Sequence, residues 1–321
     1  MDTVPFGRTG ERVSALCLGT IPFGNSCGPE DVARVMDAAL ELGITFVDTA
    51  AKYADGRSEE YLGQALRGRR QQFFLATKVH PGPDAAEITT GLEQSLARLQ
   101  TDHTDLFQIH HPCAGMHPED VMRALDAAVR QGKTRFVSAC NFPAWLFAHC
   151  NAIAERRGWA PLVCNQVPYS LIERGIEVEI LPQAVAEGHA VTVFRSLAVG
   201  LLAGRYQPRQ SIPAGSRGDE PRFRIWWERY AEGIRRLNDF AERRGLRPAQ
   251  VAIAWARQAR GVTLPIVGVS SPSQLAESAR AMDVTLTPEE REELTGFFDA
   301  AVKEETAGAF PGWRRTCLVG G

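Results

Sequence analysis

Four side chains with complementary chemistry, those of Asp48, Tyr53, Lys78 and His110, lie in separate stretches of the sequence. A tyrosine phenol has an ordinary pKa of about 10 and is therefore a poor proton donor near neutrality. A neighbouring ammonium group, such as that of Lys78, would lower this pKa. Asp48 could keep Lys78 charged and oriented, while His110 could hydrogen bond to a substrate oxygen. Together these groups suit proton transfer to an oxygen that gains negative charge, as when a carbonyl is reduced.

The elements that would position these side chains are short apolar runs. Segments with helical periodicity separate the runs, such as residues 30–42 and 86–99. Near-continuous apolar strands that alternate with amphipathic helices indicate a parallel sheet covered on its outer side. Eight repeats of this unit predict a (β/α)8 TIM barrel. The predicted strands are residues 15–19, 44–48, 73–78, 105–110, 135–140, 162–167, 190–195 and 262–268.

The polar residues at the predicted strand ends recur in phase with this architecture. Asp48 and Lys78 are 30 residues apart, and Lys78 and His110 are 32 apart. A further 31 residues separate His110 from Asn141. One strand-helix unit takes roughly 30 residues. Because the carboxyl ends of parallel strands meet at one rim of a barrel, these side chains are predicted to converge there.

The rest of the chain adds a hairpin, an insertion and a tail to the predicted barrel. Phe194 and Gly268 are 74 residues apart, which predicts an insertion after the seventh barrel strand. No linker-like or low-complexity segment interrupts the chain, so a single domain is expected over residues 1–321. The hairpin comprises residues 1–14, the barrel residues 15–285, the helix of the insertion residues 225–244, and the C-terminal helix and tail residues 286–321, with the helix running to about residue 301.

Composition and charge narrow the function classes. The 36 lysines and arginines nearly balance the 38 aspartates and glutamates, which leaves no field that would attract nucleic acid or a membrane surface. A small-molecule partner is therefore expected, and no oligomeric state is predicted. The seven cysteines include no CxxC pair, and an odd number suits a reducing compartment better than a disulfide framework. Without a signal-like start or a long apolar run, the protein is expected to be cytoplasmic.

Around Asp48, Tyr53, Lys78 and His110 the chain resembles the aldo-keto reductase family. The resemblance implies a barrel that binds a nicotinamide dinucleotide without a Rossmann motif, and an oxidoreductase that acts on an aldehyde, a ketone or an alcohol. It also implies a catalytic tetrad, carried here by Asp48, Tyr53, Lys78 and His110, with Tyr53 as the general acid and base. The matching segments are residues 18–20, 46–50 with Tyr53, 58–63, 76–78, 105–110, 165–166 and 200–206, which together extend over nearly the whole chain.

The resemblance further implies residues that hold the nicotinamide. Asn141 and Gln166 match residues that bind its carboxamide. Cys140 stands where the family usually has Ser, and a thiol is the weaker hydrogen-bond donor. Phe194 replaces a Tyr that often stacks on the ring, and stacking needs only an aromatic face.

The residues expected at the adenosine end depart further from the family. Many members carry Lys and Arg where Gly268 and Gln274 stand, and such cations would clamp a 2'-phosphate. NADP(H) is therefore expected only because members of the family usually use it, and NAD(H) is the alternative. The cofactor residues implied by the resemblance are Gly19, Thr20, Asp48, Cys140, Asn141, Gln166, Phe194, Arg195, Leu197, Gly200, Leu202, Gly268, Ser270, Gln274, Glu277 and Ser278.

The predicted substrate pocket rests on aromatic residues in the loops and the insertion. Trp226 and Trp227 are expected at a substrate wall, although one of two adjacent tryptophans would face inward in any amphipathic helix. The tail around Trp313 is predicted either to close the pocket or to be disordered. No HxH motif is present, and no metal site is expected. The pocket residues are predicted to be Phe23, His111, Trp226, Trp227 and Trp313.

Two other function classes compete with the oxidoreductase. Lys78 alone could be the Schiff-base lysine of an aldolase-type lyase, since that chemistry also uses a lysine at a strand end. The second competitor is a nicotinamide-sensing partner protein resembling channel β-subunits, which share the barrel and the tetrad. An appended interaction segment would favour this class, and a hairpin that starts near Met1 leaves little room for one.

Overall fold

Eight parallel strands close into a barrel in the described part of this computed structural model, which covers residues 1–80, 85–204 and 221–299. The predicted runs and the observed strands agree within two residues at each end. The predicted (β/α)8 barrel and its N-terminal hairpin are therefore confirmed. The hairpin strands are β1 (Thr3–Pro5) and β2 (Arg12–Ser14), and the barrel strands are β3 (Cys17–Gly19), β4 (Phe46–Asp48), β5 (Phe74–Val79), β6 (Thr104–Ile109), β7 (Thr134–Cys140), β8 (Leu162–Pro168), β9 (Ala190–Phe194) and β10 (Leu264–Gly268).

The strands pair in chain order around the barrel, and β10 closes it by pairing with both β9 and β3. Side chains alternate between the barrel interior and the surrounding helices. Phe46 lies in an inner apolar cluster, Val47 packs in a cluster with the outer helices, and Asp48 points inward again. Because all eight strands are parallel, their carboxyl ends form a single rim, and Asp48 lies near it.

The hairpin closes the opposite, N-terminal end of the barrel. Phe6, in the turn between β1 and β2, is fully buried. The centroid of its ring lies 5.7 Å from that of Phe46 and 5.4 Å from that of Phe74, and these are the first residues of β4 and β5. Val13 belongs to the same cluster. This end of the barrel is therefore sealed by apolar side chains.

The helices form where an apolar face repeats every three or four residues. In the first helix, Val32, Val35 and Met36 are fully buried, and a proline occupies the first turn. The backbone N–H of Gly28 donates to Asp31 Oδ2 at 3.1 Å, which satisfies one group at the helix start. The described helices are α1 (Pro29–Glu41), α2 (Arg57–Leu66), α3 (Ala85–Leu99), α4 (Pro118–Arg130), α5 (Ala144–Arg157), α6 (Ile180–Glu187), α7 (Pro221–Arg243), α8 (Pro248–Arg257), α9 (Pro272–Ala279) and α10 (Pro288–Gly296).

The seventh barrel unit differs from the others, as its sequence length predicts. Both α7 and α8 lie between β9 and β10. The helix α10 ends at Gly296, and the predicted end near residue 301 lies outside the described residues. Residues 205–220 and 300–321, and with them Trp313, lie outside the described residues. Each helix of the described chain falls short of the length or the hydropathy that a membrane crossing requires.

Replacing Gly63 by alanine should destabilise the protein although alanine is the better helix former. A Cβ atom at this position in α2 would lie 2.6 Å from the carbonyl oxygen of Arg98 and 2.7 Å from that of Leu99. Overpacking of this kind costs roughly 1–3 kcal/mol. Gly296→Ala is the matched control, because nothing lies within 4 Å of the added atom, and it should be neutral or stabilising by up to about 1 kcal/mol. Chemical denaturation measures both variants, and equal midpoints would contradict the close approach of α2 and α3.

Candidate active site

Asp48 and Lys78 form a buried ion pair near the rim of the barrel. The Lys78 side chain is fully buried, and its Nζ lies 2.5 Å from Asp48 Oδ2. It also donates to the carbonyl oxygen of Thr49 at 2.8 Å. Burial opposes the charge on Lys78, but the attraction of the Asp48 carboxylate outweighs it and raises the pKa of Lys78 above its ordinary value. Lys78 is therefore a cation in a fixed position.

Amide groups from two further strands hold the other oxygen of Asp48. Asp48 Oδ1 accepts hydrogen bonds from Gln108 Nε2 at 3.0 Å and from Gln166 Nε2 at 2.9 Å. Gln108 is oriented in turn by Ser138, whose hydroxyl donates to Gln108 Oε1 at 3.0 Å. Asp48 thus connects β4, β5, β6 and β8, and its carboxylate has little freedom to rotate.

A left-handed turn shortly after β4 brings Tyr53 to this ion pair. Tyr53 begins a 3-10 turn (Tyr53–Gly56) in which Ala54 and Asp55 have φ values of 50° and 53°. Residues other than glycine rarely adopt this backbone conformation, so contacts with the surrounding residues are needed to stabilise the turn. The Tyr53 ring centroid lies 5.1 Å from Lys78 Nζ. Lys52, just before the turn, is exposed.

The protonation of Tyr53 differs from the expectation drawn from the sequence. Burial raises the pKa of Tyr53 to about 12, and the attraction of Lys78 does not offset this effect because Asp48 acts in the opposite direction. Lys78 does act to lower this pKa, as expected, but burial has the larger effect, so the pKa of Tyr53 lies above its ordinary value. Tyr53 carries its proton throughout the neutral range.

His110 lies beside Tyr53 directly after β6. The two ring centroids are 5.8 Å apart. Burial, followed by repulsion from Lys78, lowers the pKa of His110 to about 2. Nδ1 of this ring is buried and has no hydrogen-bond partner among the described residues. His110 is therefore a neutral imidazole that can hydrogen bond to a substrate oxygen without bringing a charge.

The ends of β7 and β8 carry the amide groups predicted to bind nicotinamide. Asn141 has a φ of 63°, and its Nδ2 donates to the carbonyl oxygen of His110 and to Cys140 Sγ, each at 3.1 Å. The Cys140 thiol donates to Gln166 Oε1 at 3.7 Å, and burial raises the pKa of Cys140. Asn141 Oδ1 accepts no hydrogen bond within the described part of the chain.

The loop after β9 contributes a second set of groups to the same region. Ser196 Oγ is buried and has no hydrogen-bond partner in the described structure. Such an orphaned hydroxyl indicates a missing polar partner. Phe194 keeps part of its ring exposed and Arg195 is exposed. Among the other predicted loop residues, Leu197 and Gly200 are partly exposed and Leu202 is fully buried.

The start of α9 provides the residues predicted at the adenosine end. Gln274 Oε1 accepts from the backbone N–H of Ser270 at 3.0 Å and from its hydroxyl at 3.2 Å. Ser271 caps the helix by accepting from the backbone N–H of Gln274 at 3.3 Å. A helix start of this kind suits a phosphate, while the exposed Gly268 supplies no cation. The last two predicted residues, Glu277 and Ser278, lie further along α9.

These observations fit a nicotinamide dinucleotide at the rim. Asn141 and Gln166 would hold the carboxamide, and Phe194 would offer its ring face to the nicotinamide. Ser196 would gain the polar partner that it lacks. The amide groups at the start of α9 would bind a phosphate.

The predicted site residues Gly19, Thr20 and Phe23 lie at the end of β3 and in the loop that follows it. Gly19 pairs with Asp48 in the barrel, and the Thr20 hydroxyl accepts from Ser58 Oγ at 2.9 Å. Phe23 is fully buried in a cluster with α1, so its ring belongs to the core instead of to an open pocket wall.

The paired tryptophans divide between core and surface. Trp226 is 7% exposed and lies in the core cluster beneath α7, so it lines no open pocket in the described structure. Trp227 is only partly buried, and its ring stacks on Phe223 with centroids 6.3 Å apart. One tryptophan faces inward, as amphipathic spacing predicts.

A cavity elsewhere in the described structure lies away from the predicted site residues. An open cavity of about 1020 Å³ lies at the opposite end of the barrel, where Arg70, Asp105 and Arg135 line it, and it contains none of the predicted site residues. Within residues 1–80, 85–204 and 221–299, no group of three or more His, Cys, Asp or Glu side chains is arranged to hold a metal ion. The candidate catalytic groups meet around Tyr53.

Sequence reasoning missed four polar residues of this site: Gln108, Ser138, Ser196 and His80, whose ring lies 5.0 Å from that of His110. Strand alternation could have found three of them. Gln108 lies two residues before His110, Ser138 two before Cys140, and His80 two after Lys78, so each shares an inward-facing position with a predicted site residue. Ser196 lies in a loop, where no such rule applies.

Comparisons with known proteins agree with the fold. A model of the Aldo/keto reductase family matches residues 15–298. The uncharacterized oxidoreductase YrpG of Bacillus subtilis is 36% identical over 309 residues, which cover 90% of this chain and 93% of that protein. The aldo-keto reductase YhdN of the same organism is 28% identical over 328 residues, or 97% of each chain. A probable voltage-gated potassium channel subunit beta of Oryza sativa is 31% identical over 303 residues, which cover 88% of this chain and 92% of that protein.

Proposed function

Because the chain belongs to the aldo/keto reductase family, we propose that it is a nicotinamide-dependent oxidoreductase that reduces an aldehyde or a ketone, with Tyr53 as the proton donor. The observation that carries this proposal is the buried Lys78 cation, fixed 2.5 Å from Asp48 and 5.1 Å from the Tyr53 ring. A cation in this position can stabilise a phenolate that forms when Tyr53 gives up its proton.

Each residue of the tetrad has a separate part in the proposed reaction. The substrate oxygen lies between Tyr53 and His110 and accepts a hydrogen bond from each. The nicotinamide, when bound, supplies the hydride that reaches the carbonyl carbon. Tyr53 gives its phenolic proton to the oxygen, and Lys78 stabilises the phenolate left behind. Asp48 is a positioning residue, because it orients Lys78 and does not reach the substrate.

Tyr53 holds the proton that the proposed reduction needs. A phenol with a pKa of about 12 is protonated at neutral pH, and stabilisation of the phenolate by Lys78 is what would allow it to give that proton up. Consumption of NADPH or NADH on addition of aliphatic and aromatic aldehydes tests the proposal. A protein that binds either cofactor but consumes neither with any carbonyl compound would contradict it.

The cofactor preference makes a separate prediction. We expect NADPH to bind more tightly than NADH by less than about tenfold, since neither Gly268 nor Gln274 supplies a cation. Gln274→Arg should increase the preference for NADPH by roughly tenfold or more, because a charge-assisted hydrogen bond contributes about 1.5–3 kcal/mol. Gln274→Met is the matched control, since it removes the same contact with Ser270 without adding charge. Fluorescence titration with both cofactors measures the ratio, and tighter binding of NADH to the unaltered protein would refute the NADP(H) assignment.

The similarity to the rice channel subunit favours a second candidate function, a nicotinamide-binding regulatory partner protein. This function predicts tight cofactor binding without appreciable turnover of a broad aldehyde panel. A Schiff-base lyase is less compatible with the site, because the ion pair with Asp48 keeps Lys78 protonated and a protonated amine is not a nucleophile. Borohydride treatment with carbonyl substrates should therefore leave no adduct on Lys78.

A further inference from the structure

Three imidazole rings gather at the carboxyl ends of β5 and β6. The ring centroid of His80 lies 5.0 Å from that of His110 and 4.1 Å from that of His111. The rings of His110 and His111 are 6.0 Å apart. The reaction proposed above uses only His110, so His80 and His111 extend the site away from Tyr53 without a role in proton transfer.

The His80 ring is available for a ligand. It is partly exposed, and in the described residues neither of its nitrogens has a hydrogen-bond partner. His111 is oriented by its own loop, since its Nδ1 lies 3.1 Å from the carbonyl oxygen of Pro112. The edge of one ring faces the other, with 72° between their planes, so the pair forms a polar wall with a defined shape.

The charges around this pair favour an anion. Burial lowers the pKa of His80 to about 4, and repulsion from His111 and Lys52 adds to the effect. Burial also lowers the pKa of His110, and repulsion from Lys78, His80, His111 and Lys52 adds to that effect. Each of these described neighbours carries positive charge when it is ionised, so a proton on one ring disfavours a proton on the next. A carboxylate beside the rings would remove that penalty.

We propose that His80 and His111 form a subsite for a carboxylate carried by the substrate, so that the favoured substrates are aldehydes or ketones with an anionic group a short distance from the carbonyl. This inference rests on the proposed function and names the substrate class of the same site. The 5.0 Å between the His110 and His80 rings corresponds to roughly four bonds of about 1.5 Å in a zigzag chain. Acidic carbonyl compounds of that length would place the oxygen at His110 and the carboxylate at His80.

The test compares 3-formylbenzoate with its methyl ester, which has a similar shape and no charge. In the unaltered protein we expect kcat/KM for the acid to exceed that for the ester at least tenfold, because the acid should have the lower KM. His80→Phe keeps a ring against His111 and should bring the ratio near one. His149→Phe, at an exposed position on α5, should leave the ratio unchanged. A ratio near one in the unaltered protein, or an unchanged ratio in His80→Phe, would overturn the subsite.

A binding measurement separates this inference from the proposed function. The non-reactive isophthalate should bind with uptake of a proton, because a carboxylate beside His80 raises the pKa of that imidazole. Calorimetry in two buffers of different ionisation enthalpy measures that uptake, which should disappear in His80→Phe and persist in His149→Phe. Binding without proton uptake would contradict the subsite even if turnover is normal. Absence of turnover for both aldehydes with intact proton uptake would contradict only the proposed reductase.

Discussion

Replacing Tyr53 by phenylalanine should lower carbonyl reduction by roughly 10²–10⁴-fold, the range that a positioned general acid contributes. The change removes one oxygen and keeps the ring that faces Lys78 and His110, so the ion pair beneath it should stay intact. Cofactor affinity should change by less than about twofold, because the groups proposed to hold the nicotinamide lie on β7, β8 and the loop after β9. Steady-state kinetics and fluorescence titration measure the two effects separately.

The matched control for this prediction is Tyr61→Phe, which removes a hydroxyl from α2 outside the site and should leave turnover unchanged. A pH profile adds a second check. Because the pKa of Tyr53 is raised to about 12, the phenol stays protonated as pH rises through the neutral and mildly alkaline range. Turnover should therefore show no loss that is attributable to Tyr53 there. Undiminished turnover in Tyr53→Phe would exclude Tyr53 as the proton donor.

Lys78→Met should remove turnover and also destabilise the fold by roughly 3–5 kcal/mol, the usual cost of leaving one partner of a buried ion pair alone. Asp48 is only 2% exposed and would keep just the amide groups of Gln108 and Gln166 as partners. The double variant Asp48→Asn with Lys78→Met carries no charge at these two buried positions, so it should recover most of the lost stability. It should not recover turnover, because no cation remains beside Tyr53.

Chemical denaturation compares these variants with a surface pair of similar geometry. Arg123 and Asp120 lie 2.6 Å apart with 65% and 44% of their side chains exposed. Arg123→Met should therefore cost less than about 1 kcal/mol. If Lys78→Met were no less stable than Arg123→Met, the ion pair at the rim would contribute no more to the stability of the fold than a surface ion pair does. Recovery of stability without activity in the double variant would separate the catalytic from the structural effect of Lys78.

The barrel could be predicted from the sequence because its signal is repeated. Each apolar run predicts a strand weakly, but Asp48, Lys78 and His110 recur at intervals of one strand-helix unit, and that regularity fixes their common rim. The burial of Phe23 depends on how the loop after β3 packs against α1, which no local pattern encodes.

The protonation state of Tyr53 could not be predicted because it is a difference between opposing effects. The sequence indicates that a cation and a phenol meet, which favours a lower pKa. It does not indicate how deeply the phenol is buried, and burial has the largest effect on this pKa.

The seal formed by Phe6, Phe46 and Phe74 makes the base of the barrel part of its packed core. A ligand of Tyr53 and His110 therefore approaches from the carboxyl ends of the strands, where the loops that follow the strands determine its access.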